Sequence, residues 1–321
     1  MNLAVTDVAP LGARVLAEVE RAIVGKRALL TQILAAALAG GHVLLEDYPG
    51  LAKTLIAKSF ASALGLEFRR IQFTPDLLPG DITGSYVYDR QQGRFELRKG
   101  PIFANIILAD EINRASPKTQ SALLEAMQEG QVTLEGETMA LPDPFIVLAT
   151  QNPIEYEGTF QLPEAQLDRF LMKLSVGYPS IEDEQEILRR RRARREDEPT
   201  VERATSRDEL LGLRAAIEDV HVDRDVERYI VLLVEATRRD RRVAVGASPR
   251  GSLALLKLAR VQAALDGRDY VIPDDVKAFV KPALIHRLLL TPDFWMQRRA
   301  ADDVLSDVVR AVAVPTLEGA R

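Results

Sequence analysis

Apolar residues gather in short runs along the first half of the chain, and turn-forming residues separate these runs. The run ALLTQILAAALA at 28–39 predicts a buried helix, and HVLLE at 42–46 predicts a short buried strand. After a glycine-bearing turn, TLIAKSFASAL at 54–64 has helical periodicity, and EFRRIQF at 67–73 predicts a second strand. A strand, a turn, a helix and another strand in this order indicate an α/β fold.

Two later runs, NIILAD at 105–110 and FIVLAT at 145–150, are apolar at consecutive positions. Such runs are typical of strands that are buried on both faces of a parallel sheet. Alternating segments at 85–100 and 131–144 each surround a glycine-containing turn and predict β-hairpins. The first half of the chain is therefore predicted to be a parallel sheet flanked by helices, with two added hairpins.

After Pro179 the pattern changes to helical periodicity, and no further strand is predicted. Ser206 and Glu209 have the spacing of a capping box. The predicted helices are IEDEQEILRRRRARR at 181–195, SRDELLGLRAAIEDV at 206–220, RDVERYIVLLVEATRR at 224–239 and SPRGSLALLKLARVQAAL at 248–265. We therefore predict two domains, an α/β domain at 1–180 and an all-helical domain at 181–321, with the boundary near 177–183.

Composition and charge narrow the classes of function. The net charge of −5 argues against a general affinity for nucleic acid, and the arginine run at 189–195 precedes three acids, which favours a salt-bridged helix face. Packing or surface roles are expected for the three widely spaced histidines, His42, His221 and His286. The chain has no cysteine, no secretory signal and no apolar run of the roughly 20 residues that span a membrane, so we expect a cytoplasmic protein.

The segment DYPGLAKT at 47–54 follows a predicted strand and opens a predicted helix, which is the position of a phosphate-binding loop. Lys53 would reach the phosphates as a point charge, and the hydroxyl of Thr54 would bind Mg²⁺. The pattern G-x-x-x-x-G-K-[ST] is matched only in part, because Asp47 and Ala52 stand where it has glycines. The alternative is a structural turn with a chance Lys-Thr pair.

Polar residues end two of the predicted buried strands. Asp110 could bind Mg²⁺ beside Thr54, and Glu111 could orient and deprotonate an attacking water, although an Asp-Glu pair can also cap a helix. Asn152, after Gln151, could contact a γ-phosphate and the same water. Its alternative role is to cap the turn at Pro153.

Two arginines lie outside these strand ends. Arg169 adjoins Asp168 on an amphipathic segment. Arg250 falls in the first turn of a helix that begins with Ser248 as N-cap and Pro249. A cation there opposes the helix dipole, which indicates a role outside the helix, and a surface ion pair is the alternative.

The order of these segments resembles that of the AAA+ ATPases, and within them the MoxR family. The resemblance covers nearly the whole chain. It is carried by IVGK at 23–26, PGLAKT at 49–54, TPDLLPGDITG at 74–84, GPIFANIILADEINRASPKTQSALLEAMQE at 100–129, ATQNP at 149–153 and LPEAQLDRF at 162–170.

The resemblance implies roles for individual residues. Lys53 and Thr54 would be Walker A, Asp110 and Glu111 Walker B, Asn152 sensor 1, Arg250 sensor 2, and Arg169 the arginine finger. The hairpin at 85–99 resembles the helix 2 insert of this clade, and 131–142 the hairpin before sensor 1. ATP would contact Pro49, Gly50, Leu51, Ala52, Lys53, Thr54 and Leu55, with Val24 and Gly25 beside the adenine.

An arginine finger acts on the neighbouring subunit's nucleotide, so the resemblance implies a ring, expected to be a hexamer. It further implies an ATP-driven chaperone that matures or assembles a client protein. The partners of this family contain von Willebrand factor A domains and metal sites. Two other functions stay open: a nucleotide-dependent switch with little turnover, and a DNA-associated motor, against which the acidic net charge counts.

Overall fold

The computed structural model describes residues 3–152, 159–295, 297 and 299–315. Within these ranges the strands are β1 (Val43–Glu46), β2 (Phe68–Gln72), β3 (Gly84–Asp89), β4 (Arg94–Lys99), β5 (Ile106–Asp110), β6 (Gln131–Leu134), β7 (Glu137–Ala140), β8 (Ile146–Gln151), β9 (Met172–Leu174), β10 (Val243–Val245) and β11 (Leu289–Leu290).

The helices in the same ranges are α1 (Val8–Ala22), α2 (Arg27–Leu38), α3 (Lys53–Leu64), α4 (Pro79–Thr83), α5 (Pro117–Glu129), α6 (Glu164–Leu167), α7 (Ile181–Arg194), α8 (Arg207–Ile217), α9 (Arg224–Arg239), α10 (Pro249–Leu265), α11 (Pro273–Leu284), α12 (Pro292–Trp295) and α13 (Ala300–Ala311). We call α7–α13 with β10 and β11 the helical part. None of the described helices is both long and apolar enough to cross a membrane.

A five-stranded parallel sheet forms the centre of the first half, with the strand order β2-β5-β8-β1-β9. Helices pack on both of its faces, because side chains alternate between the two faces of each strand and both sets are apolar. Leu44, Ile107 and Val147 belong to the core on one face, and Leu45, Leu108 and Leu148 to the core on the other. The predicted α/β class is confirmed.

Both predicted hairpins are present as the antiparallel pairs β3–β4 and β6–β7. The four predicted helices after Pro179 correspond to α7, α8, α9 and α10, and Ser206 and Glu209 form the predicted capping box. The arginine run lies on α7, where Arg189 and Arg190 pair with Glu186. This part of the chain therefore folds as its local periodicity indicates.

Two details of the strand prediction were wrong. The helical part contains a small antiparallel sheet, because β10 pairs with β11, and the central sheet has a fifth strand, β9. These strands are two or three residues long, too short to show a periodicity, and their partners are distant in sequence.

The boundary at residue 180 stays a prediction. α1 and α2 share one hydrophobic core with the helical part, in which Leu30 and Leu34 of α2 lie in the same cluster as Leu213 of α8 and Leu255 of α10. The guanidinium of Arg214 on α8 also donates to the carbonyl oxygen of Ala37 at the end of α2, at 2.6 and 2.9 Å. The N-terminal helices thus contact both parts of the molecule.

His42 is buried in the sheet domain and has a packing role, as predicted. His42 Nδ1 accepts from the N–H of Val147 at 3.0 Å and Nε2 lies 3.0 Å from the carbonyl oxygen of Met127. Burial lowers the pKa of His42 to about 4. Among the described residues, no group of three or more His, Asp or Glu side chains could hold a metal ion.

Asp47 joins the end of β1 to the segment that leads from β9 to α7. Its buried carboxylate accepts from the N–H of Tyr48 at 2.8 Å, the hydroxyl of Ser175 at 2.8 Å and the N–H of Gly177 at 2.6 Å. The ring of Tyr48 stacks on Tyr178 at 6.0 Å between centroids. Burial alone would raise the pKa of Asp47, but the hydrogen bonds from Gly177, Ser175 and Tyr48 outweigh it and lower the pKa.

We predict that Asp47→Asn lowers the free energy of unfolding by about 1–3 kcal/mol at pH 7, since the amide NH₂ must face one of the buried donors. A lowered folded-state pKa stabilises the protein above the ordinary Asp pKa, and this contribution is lost as the pH falls through the folded value. Urea unfolding at pH 7, 5, 4 and 3 should therefore show the difference from wild type shrinking in acid. A constant difference would contradict the assignment, and Asp219→Asn, at an exposed carboxyl, is the control.

Candidate functional site

A cavity of about 500 Å³ opens at the carboxyl edge of the central sheet. Ligands of open α/β sheets bind at this edge. The cavity is lined by Pro49, Gly50, Leu51, Ala52, Lys53, Thr54, Leu55, Arg70, Asp110, Glu111 and Asn152. Apart from Arg70, all of these residues were singled out from the sequence, so the fold brings the predicted strand-end residues together.

The loop between β1 and α3 presents backbone N–H groups to the cavity. Ala52, the residue before α3, has φ 56° in the left-handed region and makes no side-chain cap. The first N–H groups of α3 therefore lack intrahelical partners and can receive an anion, which the helix dipole also favours. At Gly50, φ is 82° and nothing lies within 4 Å of where a Cβ would be, which leaves the loop open to a ligand.

Lys53 begins α3, and its ammonium donates to the carbonyl oxygen of Asp47 at 2.7 Å. Burial lowers the pKa of Lys53 below its ordinary value, while the charges of Asp47, Asp110 and Glu111 act in the opposite direction. This hydrogen bond holds Lys53 over its own loop, and because the carbonyl oxygen is a neutral acceptor, a phosphate oxygen could replace it.

Thr150 on β8 fixes both carboxylate-bearing residues at the end of β5. Its hydroxyl donates to Oδ1 of Asp110 at 2.6 Å and accepts from the N–H of Glu111 at 2.8 Å. Glu111 has φ 56° and stands at the N-cap position of the 3-10 helix Ile112–Arg114, but its side chain makes no cap there. The side chain that caps α5 is that of Ser116. The helix-cap alternative for this pair was therefore wrong.

Each acid also contacts a cationic side chain. Arg70 donates to Oδ2 of Asp110 from Nη2 at 2.7 Å and from Nε at 3.1 Å. Oε2 of Glu111 accepts from Gln72 Nε2 at 2.9 Å and from Arg114 Nη1 at 3.0 Å. The carboxylates are therefore oriented from two sides.

Sequence reasoning missed Arg70, Gln72, Arg114 and Thr150. Arg70 and Gln72 lie on one face of β2 because they are two residues apart, a signal that was visible in the sequence. That this face meets Asp110 depends on the pairing of β2 with β5, in which Gln72 lies opposite Asp110. Such a pairing joins residues that are far apart in the sequence, so the pattern of neighbouring residues does not predict it.

Asn152 follows β8, is buried and lines the cavity. The carbonyl oxygen of the preceding Gln151 accepts from the N–H of Asp47 at 3.1 Å, which ties the two strand ends together. The alternative role of Asn152 as a cap of the turn at Pro153 lies outside the described residues.

Val24, Gly25, Arg169 and Arg250 do not line this cavity. Gly25 has φ 69°, and a Cβ there would lie 2.0 Å from Oδ2 of Asp183, so the turn between α1 and α2 packs against the start of α7.

Arg250 follows the confirmed Ser248 cap and Pro249, and its Nη1 lies 3.9 Å from Oδ2 of Asp168. This is the contact that its surface ion-pair alternative requires. Arg169 is half-buried at the end of the segment after α6.

Comparisons with known proteins agree with this architecture. Residues 42–172 match the family model described as "ATPase family associated with various cellular activities (AAA)", and residues 235–308 match that of the AAA lid domain. The chain is 48% identical to the uncharacterized protein YeaC of Bacillus subtilis, over 98% of both chains. It is 46% identical to Chaperone MoxR1 of Mycobacterium tuberculosis, over 94% of this chain and 82% of the relative.

The crystal structure of a candidate ATPase from Cytophaga hutchinsonii superimposes with a TM-score of 0.91 at 40% identity, over 97% of each chain. Similarity at this level extends through both the sheet and the helical part. Together with the identity to MoxR1, it shows that the chain belongs to the MoxR family of AAA+ ATPases.

Proposed function

We propose that this chain binds ATP with Mg²⁺ in the cavity at the sheet edge, hydrolyses it as a ring of identical subunits, and uses the cycle to remodel a client protein. The observation that carries the proposal is that Lys53, Thr54, Asp110 and Glu111 line one cavity, although Thr54 and Asp110 are 56 positions apart in the sequence.

The donor set fits a triphosphate with a divalent cation. The cavity volume of about 500 Å³ lies in the range of small-molecule sites. Lys53 and the N–H groups at the start of α3 would bind phosphate oxygens, while the Thr54 hydroxyl and the Asp110 carboxylate are the oxygen ligands that Mg²⁺ prefers. When bound, Mg²⁺ would offset part of the negative charge of the triphosphate.

Glu111 would accept the proton of the attacking water, and Asn152 would hold that water against the γ-phosphate. The contacts of Gln72 and Arg114 with Oε2 of Glu111 support this role, because they fix the carboxylate before the substrate arrives. Arg70 lines the cavity and would be available to a phosphate oxygen once Mg²⁺ shares Asp110.

Glu111→Gln should reduce kcat for ATP by about 10²–10⁴-fold and leave the Kd for Mg·ATP within about threefold, because the amide keeps the acceptor of Arg114 but cannot take a proton. Phosphate release and equilibrium binding of a fluorescent ATP analogue measure the two quantities. Glu125→Gln, at an exposed carboxylate on α5, is the matched control. Unchanged turnover in the assembled protein would favour the nucleotide-dependent switch instead.

We assign Arg169 to the nucleotide of the neighbouring subunit and Arg250 to that of its own subunit. Arg169 does not line the cavity of its own chain, and its guanidinium makes no hydrogen bond or ion pair with any residue that the structure describes. A charge of this kind at the surface fits a site that is completed only in the ring, for which we propose six subunits.

Arg169→Ala should lower kcat by about 10³-fold or more while Mg·ATP still binds, because a trans arginine acts on charge that develops in the transition state. Mixing it with Glu111→Gln subunits should restore turnover, since the second variant supplies an intact Arg169 to the intact pockets of the first. Arg224→Ala, at an exposed arginine of α9, should behave as wild type. If binding and turnover fell equally and mixing restored nothing, Arg169 would be structural.

For the client we propose a protein with a von Willebrand factor A domain, with metal insertion as a consequence of remodelling. The relative named Chaperone MoxR1 supports a chaperone role. The β3–β4 hairpin offers an exposed aromatic pair, in which Tyr88 packs on Phe95 at 5.2 Å, whereas the hydroxyl of Tyr86 is bound to Glu137 at 2.8 Å. Tyr88 is therefore the better candidate for a client contact than Tyr86.

Immobilised Glu111→Gln protein with Mg·ATP should retain a purified protein that contains a von Willebrand factor A domain, whereas wild-type protein should release it during turnover. Tyr88→Ser should weaken this retention without changing kcat. Duplex DNA should leave turnover unchanged. A several-fold stimulation by DNA, together with no retention of the client, would instead support the DNA-associated motor.

A further inference from the structure

One buried arginine of the helical part holds the segment 168–171, which lies between α6 and β9. The guanidinium of Arg287 donates from Nε to Oδ1 of Asp168 at 2.7 Å, and from Nη2 to the carbonyl oxygens of Phe170 at 2.8 Å and Asp168 at 3.2 Å. Its Nη1 donates to the carbonyl oxygen of Leu171 at 3.2 Å, and its side chain is only 4% exposed. We call residues 168–171 the finger segment, because they include Arg169.

Two further side chains of the helical part bind the same segment. The hydroxyl of Ser248 donates to Oδ2 of Asp168 at 3.1 Å, and Nε2 of His286 lies 3.0 Å from the carbonyl oxygen of Phe170. Burial and the adjacent charge of Arg287 lower the pKa of His286 well below its ordinary value, so the ring is neutral and donates from Nε2. We call Asp168, Ser248, His286 and Arg287 the latch.

Arg169 therefore lies between two residues whose polar groups the latch holds. Its own N–H donates to the carbonyl oxygen of Gln166 at 3.2 Å, and its guanidinium has no hydrogen-bond or ion-pair partner in the described ranges. The position of its Cα is thus set by the latch, while its charge stays available to another molecule.

The latch is separate from the nucleotide cavity of its own chain. Its four residues line a second cavity, of about 270 Å³, between the finger segment and the turn around β11. In the described part of the chain, none of them lines the cavity that contains Lys53 and Asp110. A change in the latch can therefore move Arg169 without altering the lining of that pocket. The latch is linked to the residues assigned to the same subunit's nucleotide through Arg250, whose Nη1 lies 3.9 Å from Oδ2 of Asp168.

We propose that Arg287 is a positioning residue for Arg169, so that the helical part of one subunit sets the geometry of the charge which that subunit presents to its neighbour's nucleotide. This inference rests on the proposed function, in which Arg169 acts in trans. A displacement of about 1 Å in such a group can cost roughly 100-fold in rate.

The test uses the full chain with Arg287→Lys, which keeps the charge but cannot reach the carboxylate of Asp168 and the three carbonyl oxygens of the finger segment together. We expect kcat to fall by about 10- to 100-fold, with the Kd and KM for Mg·ATP within twofold of wild type. Asp168→Asn removes the same ion pair while keeping the size of the side chain, and it replaces Arg287→Lys if that variant does not fold. Because Asp168→Asn also removes the 3.9 Å pair with Arg250, only the loss of turnover that subunit mixing restores is assigned to Arg169.

The deciding measurement is subunit mixing. Arg287→Lys subunits keep an intact pocket but present a misplaced Arg169, whereas Glu111→Gln subunits have an inactive pocket and an intact latch. In an equal mixture, turnover per Arg287→Lys subunit should rise several-fold towards the wild-type value, because each Arg287→Lys pocket that lies beside a Glu111→Gln subunit receives a correctly placed Arg169. If Arg287 only supported the fold of its own subunit, Arg287→Lys would lower turnover in that subunit's own pocket, and mixing would restore nothing.

The Arg169→Ala mixture separates the two proposals. If Arg169→Ala is rescued by Glu111→Gln subunits and Arg287→Lys is not, the latch inference is overturned and the trans role of Arg169 stands. If neither is rescued, the trans role falls and the latch inference falls with it.

Arg242→Lys provides the matched control. Arg242 pairs with Asp240 at 2.7 Å and with Asp307 at 2.9 Å, both within the helical part and away from the finger segment. It should lower thermal stability without the tenfold loss of kcat. A loss of kcat as large as that of Arg287→Lys, in spite of normal binding, would show that any disturbance of the helical part has this effect and would overturn the inference.

Discussion

The parallel register of three neighbouring strands brings opposite charges into one cavity. In this register Glu46 of β1 lies opposite Gln151 of β8, and Ala109 of β5 lies opposite Ala149. The three strands therefore end at nearly the same level, and the residues that follow them, including Lys53, Glu111 and Asn152, must converge. Because side chains alternate along a strand, a slip of one residue would turn the end of a strand to the opposite face. The apolar residues on both faces of the sheet thus fix the geometry of the site as well as the core.

The charges that converge there partner one another within the chain. Asp110 contacts Arg70, Glu111 contacts Arg114, and Lys53 contacts the carbonyl oxygen of Asp47. A half-buried charge is costly unless it is paired, and these contacts offset part of that cost. A bound ligand would compete with these contacts, because a phosphate oxygen can replace the carbonyl oxygen of Asp47 at Lys53 and a divalent cation can share Asp110 with Arg70. Gln72 orients the carboxylate of Glu111 without adding a charge to the site.

Local signals in the sequence predicted most of this site, and the limits of the prediction have a physical cause. The buried runs and glycine turns predicted β1, β2, β5, β8, both hairpins and the helices from α7 to α10, because each depends on neighbouring residues. The fifth strand, β9, and the β10–β11 pair were missed, because they are very short and pair with distant residues. Arg70 was missed for the same reason: it lies on β2, and only the pairing of β2 with β5 brings it to Asp110. Periodicity could not show that Asp47, where a glycine was expected, binds the segment after β9.

Arg250 and Arg287, which both lie outside the cavity, meet at a single anion, Asp168. Asp168 precedes Arg169 in the chain, pairs with Arg287 at 2.7 Å and lies 3.9 Å from Arg250. Arg250 and Arg287 repel each other: burial is the main cause that lowers the pKa of Arg287, and the charge of Arg250 lowers it further. Under the proposed roles, a nucleotide that draws Arg250 away from Asp168 removes this repulsion and leaves the carboxylate to Arg287. Binding of nucleotide in one subunit would then tighten the contact that positions Arg169 for the next subunit, through one shared carboxylate.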